Sequence, residues 1–113
     1  MRPRIYVAGP YTKGDVCVNV RCAIEEADWL FSLGVAPYIP HLMHFWHLVI
    51  PRHYEDWMNL DLDWLPQCHA LRRLPGDSSG ADREVKKACE LQMPVLYSRD
   101  EVLAWLKEWN HGR

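Results

Sequence analysis

"ALRRLPGDSSGADREVKKACELQMPVLY" runs from Ala70 to Tyr97, and its reading decides the fold. "ALRRL" (70–74) is a short run that reads as a strand. "GADREVKKACELQ" (80–92) has helical spacing, and "PVLY" (94–97) is again strand-like. Between the first strand and the helix lie Gly and Ser residues that make a turn. Strand, helix, strand in this order is the unit of a parallel sheet.

The same alternation extends to both ends. "RIYVAG" (Arg4–Gly9) is apolar, ends in glycine and reads as a buried strand. "PYTKGD" is turn chemistry. From Val16 to Leu33 the apolar positions Val16, Val20, Ala23, Ala27 and Leu30 mark a helix, which Gly34 stops. "VAPYIP" (Val35–Pro40) is a second strand whose prolines suit an edge or an irregular end. "HLMHFWHLVIP" (41–51) is aromatic and His-rich, a short helix within a loop. Arg52–Leu65 is a clear helix. "SRDEVLAWLKEW" (98–109) closes the chain, with Ser98 and Glu101 forming a capping box. The resulting β-α-β-α-β-α-β-α order predicts one α/β domain over residues 1–113. It should be a three-layer sandwich with a mainly parallel sheet of four to five strands. Ligands of such sheets bind beyond the carboxyl ends of the strands, so Gly9–Gly14, His41–Tyr54 and Pro75–Glu84 are the segments to search.

Bulk properties narrow the function. The chain has 113 residues, 49% of them hydrophobic, and a formal charge of −2. That composition supports a core and supplies no basic excess for a nucleic-acid polymer or a membrane surface. No apolar run reaches the roughly 18 residues of a membrane span. Cys17, Cys22, Cys68 and Cys89 lack CxxC spacing, and no leader pattern precedes the first strand, so reduced thiols in a cytoplasmic protein are expected.

Two acids stand out because they break the pattern. On the 80–92 helix, Ala81, Val85, Ala88 and Cys89 form the apolar stripe, with Leu91 at its border. Glu84 falls between Ala88 and Leu91, away from Lys86, Lys87 and Glu90. Burying a carboxylate costs several kcal/mol, as a rough figure, unless it is paired. A place in the first turn, near free amides and the helix dipole, would help keep Glu84 ionised as a nucleophile. On the 52–65 helix, Asp61 shares a face with Tyr54, Trp57, Met58, Trp64 and Leu65, whereas Asp56 and Asp63 face outward. A lone acid of this kind is ordinarily a cap or half of a buried pair. Two of them flanking one strand suit glycosyl chemistry, one attacking the anomeric carbon and the other handling protons at the leaving group. Ahead of Glu84, Gly76, Ser78, Ser79 and Gly80 would let backbone amides approach a ligand at a helix start. GxxxxGK[ST] is absent, so this is not a nucleoside-triphosphate loop.

Together "IYVAGPY", "DLDWLPQC" and "RLPGDSSGADREVKKA" resemble the nucleoside 2-deoxyribosyltransferase superfamily. The likeness is to a branch of small bacterial and phage proteins and extends from Ile5 to Tyr97. It implies a flavodoxin-like or Rossmann-like sheet and retaining attack on C1′ of a deoxyribosyl group. By this resemblance Glu84 matches the nucleophile, Asp61 the acid at the leaving base and Tyr6 the tyrosine that positions the nucleophile. Gly9, followed by Pro10, matches the glycine that gives the substrate room. Ser78, or Ser79 beside it, matches a serine that binds 5′-phosphate in the related N-hydrolases. The implied ligand is a nucleoside or its 5′-monophosphate, with no cofactor and no metal, and the implied assembly is a homodimer or larger. The chain departs from its relatives at His69, at Arg72 in a strand, and at Asp82, whose charge is expected to repel a phosphate. The resemblance leaves room for a non-catalytic nucleotide-binding or nucleotide-sensing module as the alternative.

His41, His44 and His47 are spaced three apart and could meet a metal on a helix, but loop and core roles are the commoner reading. His41 and Trp46 could instead line the nucleobase end of a cleft. Trp105 and Trp109 share one stripe of the last helix, to pack on the sheet or on a second subunit.

Overall fold

Four parallel strands, β1 (Arg4–Ala8), β2 (Ala36–Tyr38), β3 (Ala70–Arg73) and β4 (Val95–Leu96), form one sheet in the order β2-β1-β3-β4. They are seen in a computed structural model that describes residues 1–112. Five helices connect and flank them: α1 (Val16–Ser32), α2 (Met43–Val49), α3 (Tyr54–Trp64), α4 (Ser79–Glu90) and α5 (Arg99–His111). Among the described residues no helix is long and apolar enough to cross a membrane.

The period-2 alternation of β1 divides the molecule into layers. Ile5 and Val7 point to one face, where they pack with Ala23, Ala27 and Leu30 of α1 and Val102 and Leu106 of α5. Tyr6 and Ala8 point to the other, against Leu71, Leu65 and Ala81 and Ala88 of α4. This is the expected three-layer α/β sandwich, with four strands and every pairing parallel.

Local signals fixed several ends. Asp15 caps α1 by accepting from Val18 N–H at 3.1 Å. Ser98 caps α5, accepting from Glu101 N–H at 3.1 Å, while Glu101 accepts from Tyr97 N–H at 3.4 Å. The His-rich segment is a 3-10 turn, Pro40–Leu42, that leads into α2. Trp105 packs against the α1/α5 core, and its ring lies 5.4 Å from that of Trp109. The exposed apolar residues concentrate on α2 and its flanks, at Leu42, Phe45, Trp46, Leu48, Val49 and Ile50.

The apolar stripe of α1 contains a charge that its periodicity conceals: Glu26 is 4% exposed. It meets Arg72, the charged residue of β3, at 3.2 Å, and Arg99 of α5 at 2.9 Å. Arg72 is itself 6% exposed and also donates to the Arg73 carbonyl at 2.7 Å. An arginine in a central strand is therefore tied to both helices of its layer.

The loop after β3 is held by Arg73, whose guanidinium donates to the carbonyls of Leu74 and, at 2.9 Å, Gly76. Gly76 has φ +114°, and a Cβ there would stand 2.8 Å from Pro10 Cγ. We expect Gly76→Ala to cost about 1–3 kcal/mol in a urea unfolding curve. An unchanged midpoint would mean that the two loops adjust without strain.

Candidate active site

β2 and β3 lie on opposite sides of β1. The chain therefore leaves β1 and β3 in diverging directions at their carboxyl ends, which opens a crevice. A cavity of about 310 Å³ sits there. The loop after β1 contributes Gly9, Tyr11, Thr12 and Lys13, the loop after β3 contributes Asp77 and Ser78, and the start of α4 contributes Ser79 and Gly80. Tyr54, Trp57, Met58 and Asp61 of α3 form another wall, with Pro40, His41 and Met43 beside them. Ala81 and Glu84 complete the lining.

The two acids singled out by periodicity both face this cavity. Glu84 and Asp61 are each 6% exposed. On α4 the buried positions are Ala81, Glu84 and Ala88, while Cys89 is exposed. Glu84 thus occupies the middle of the buried face rather than its border. The expected compensation by the helix start is not what the structure provides. Ser78 caps α4 by accepting from Ala81 N–H at 3.1 Å, and the helix begins at Ser79. Glu84 is then beyond the first turn, where the dipole effect has fallen off. Its partner is the phenol of Tyr6, which donates to Glu84 Oε2 from the centre of the sheet.

Burial pushes the Glu84 carboxyl up to about 8. The Tyr6 hydrogen bond pulls it down, the Asp61 charge raises it, and Arg73 and Arg83 lower it. Burial also pushes Asp61 up to about 7, opposed by a hydrogen bond from Tyr38 at 3.3 Å. Tyr6 is raised well above its ordinary value, by burial first and then by the Glu84 and Asp61 charges. It therefore stays protonated as a donor. The pair shares one proton near neutral pH, more often on Glu84 than on Asp61, and the form with Glu84 ionised and Asp61 protonated is the less populated of the two.

The remaining expected residues separate into two groups. Gly9, Ser78, Ser79, Gly80 and His41 line the cavity. Pro10 is outside the lining, and its carbonyl takes the His41 Nε2 contact at 2.9 Å. Trp46 is also outside, set edge-on to Trp57 with ring centroids 4.9 Å apart. Trp57, not Trp46, is the indole at the cavity. The three histidines diverge: His44 bonds Tyr11 at 2.7 Å, and His47 accepts from Trp57 Nε1 at 2.9 Å. The expected openness at Gly80 is taken by the protein itself, since a Cβ there would lie 2.4 Å from the Tyr54 hydroxyl. Asp82, expected to repel a phosphate, pairs with Arg73 at 3.2 Å and is not part of the lining.

Lining residues that periodicity did not reveal include Tyr11, Thr12, Lys13 and Asp77. Lys13 and Asp77 form an ion pair between the two loops. Tyr54 was visible only as one more apolar position, although α3 and α4 are further joined by Arg83 on Glu55 at 2.7 Å.

Comparison with known proteins gives a family and a fold. The model of a family described as "Domain of unknown function (DUF7768)" matches residues 3–98. No curated protein matches the chain. Among solved structures, the chain is similar to a 2-deoxyribosyltransferase from Bacillus psychrosaccharolyticus, at 19% identity and a TM-score of 0.59. That likeness covers 81% of this chain and 69% of the other.

Proposed function

This chain belongs to the DUF7768 family, and we propose that it cleaves or transfers the N-glycosidic bond of a (deoxy)nucleoside or its 5′-monophosphate. The observation that carries this reading is the pair of buried carboxylates, on different helices, facing one cavity at the sheet's switch point. The fold likeness to a 2-deoxyribosyltransferase supports it.

In the first step a Glu84 carboxylate oxygen bonds to C1′ as the C1′–N bond breaks. The electron pair of that bond stays on the base nitrogen, and the base takes the proton of the Asp61 carboxyl. In the second step water attacks C1′, its proton goes to the Asp61 carboxylate, and Glu84 leaves as a carboxylate. A second base in place of water gives transfer. Tyr6 holds the Glu84 oxygen and favours its charged form. Trp57 and Tyr54 offer flat surfaces for the base. Ser78, Ser79 and Lys13 lie at the loop end, where a 5′-hydroxyl or 5′-phosphate would sit. A homodimer belongs to the same proposal, and the exposed apolar residues of α2 are a surface available to it.

The test is chromatography of bases released from a panel of deoxynucleosides, ribonucleosides and their monophosphates. Release supports the reaction. Saturable binding without product replaces it with a nucleotide-binding role.

The pH dependence follows from the shared proton. Below the working range both carboxyls are protonated and there is no nucleophile. Above it both are ionised and there is no acid. We expect a bell-shaped kcat/KM with its optimum between about 7 and about 8. Asp61→Asn should remove the alkaline descent. It should leave the acid limb near its place, because Asp61 is protonated and neutral at that limb in wild type as well. An alkaline descent that survives in Asp61→Asn would assign it to another group.

A further inference from the structure

We infer that Tyr38 is the positioning residue for Asp61, so that two stacked tyrosines hold the two carboxylates as one unit. The inference rests on the glycosyl reading above for its catalytic meaning. The register of the sheet carries it. Tyr6 of β1 and Tyr38 of β2 are direct partners across the parallel ladder, so both rings leave the sheet on the same face. They stack with centroids 5.3 Å apart and planes at 22°. Each phenol then reaches a different helix. Tyr6 donates to Glu84 Oε2 on α4, and Tyr38 donates to Asp61 Oδ1 on α3 at 3.3 Å. Trp64, on α3 one turn past Asp61, stacks on Tyr38 with centroids 6.2 Å apart and planes at 27°.

The stack fixes the ring, and the ring fixes the hydroxyl. With Oδ1 taken by Tyr38, Oδ2 is the oxygen left for the leaving base. The donor also favours the charged form of Asp61 and so opposes the effect of burial. The ionisable groups around the pair are Tyr6 from β1, Glu84 from α4, Tyr54 from α3 itself and, facing Tyr38, Cys68 from the turn before β3. Tyr38 is the group that lowers Asp61.

Tyr38→Phe keeps the ring and its stacking and removes the O–H. The Asp61 carboxyl carbon is followed by NMR through a pH titration without substrate, and kcat and KM for base release are measured across pH. The Asp61 titration should move to higher pH by roughly 1 pH unit, and the alkaline limb of kcat should move the same way. Lost orientation should lower kcat about tenfold, with KM within about twofold of wild type. A ring-fluorinated tyrosine at position 38, a stronger donor, should move the titration to lower pH. It gives the answer where the Phe variant does not fold. An Asp61 titration that stays put in both proteins overturns the inference, whatever the activity. A shifted titration in a protein that releases no base supports the Tyr38–Asp61 pairing and counts against the glycosyl reaction. Base release with an unmoved titration does the reverse.

Discussion

Glu84→Gln should reduce base release by roughly 10³-fold or more while leaving the protein folded. The amide has nearly the same shape as the carboxyl and can still accept from Tyr6, so the geometry of the site is kept. What it lacks is the oxygen nucleophile. The substitution also removes an ionisable group from a position that is 6% exposed, so the melting temperature should be equal to or above that of wild type. Intact-protein mass spectrometry on acid-quenched turnover should show a pentosyl adduct on wild type and none on the variant. Base release at wild-type rate by Glu84→Gln would remove the covalent mechanism.

Glu26→Ala should give the largest loss of stability, about 3–5 kcal/mol in denaturant unfolding. The change takes away the carboxylate that meets both Arg72 and Arg99. Arg99 is half exposed and can turn to water. Arg72 cannot, because it is 6% exposed in a central strand. Its guanidinium would keep the Arg73 carbonyl and no counter-charge. Against a total stability of about 5–15 kcal/mol for a domain, this is a large fraction. The paired change Glu26→Met with Arg72→Leu should recover most of the loss, since it buries no unpaired charge. If the double variant is as unstable as Glu26→Ala, cavity and packing effects, not the stranded cation, set the cost.

Much of the fold was legible because helices and strands announce themselves locally. The Ser98 cap, the Gly34 stop and the short apolar run of "RIYVAG" are local signals, and each element they mark is present. The misplacement of Glu84 and Asp61 was legible for the same reason: a helix repeats every 3.6 residues, and an acid in the wrong phase shows. Glu26 stands in the same kind of phase on α1, where its small and apolar neighbours Ala23, Ala27 and Leu30 dominate the pattern. The sequence suggests Trp46 for the cavity, whereas the cavity takes Trp57, which shares the α3 face of Asp61. Two aromatic residues of similar spacing cannot be told apart until the angle between α2 and α3 is known.

By itself the sequence determined the alternating α/β order, most element positions and the existence of two carboxylates that break their helices' apolar faces. The tertiary structure decided what those carboxylates meet. Strand order β2-β1-β3-β4 opened the crevice, and the register that sets Tyr6 opposite Tyr38 placed two phenols on one face. Glu84 is held by a residue 78 positions away, not by the start of its own helix. The physical reason is range. Periodicity and capping are set by residues within one or two turns, whereas strand pairing and register join segments whose separation along the chain leaves no local trace.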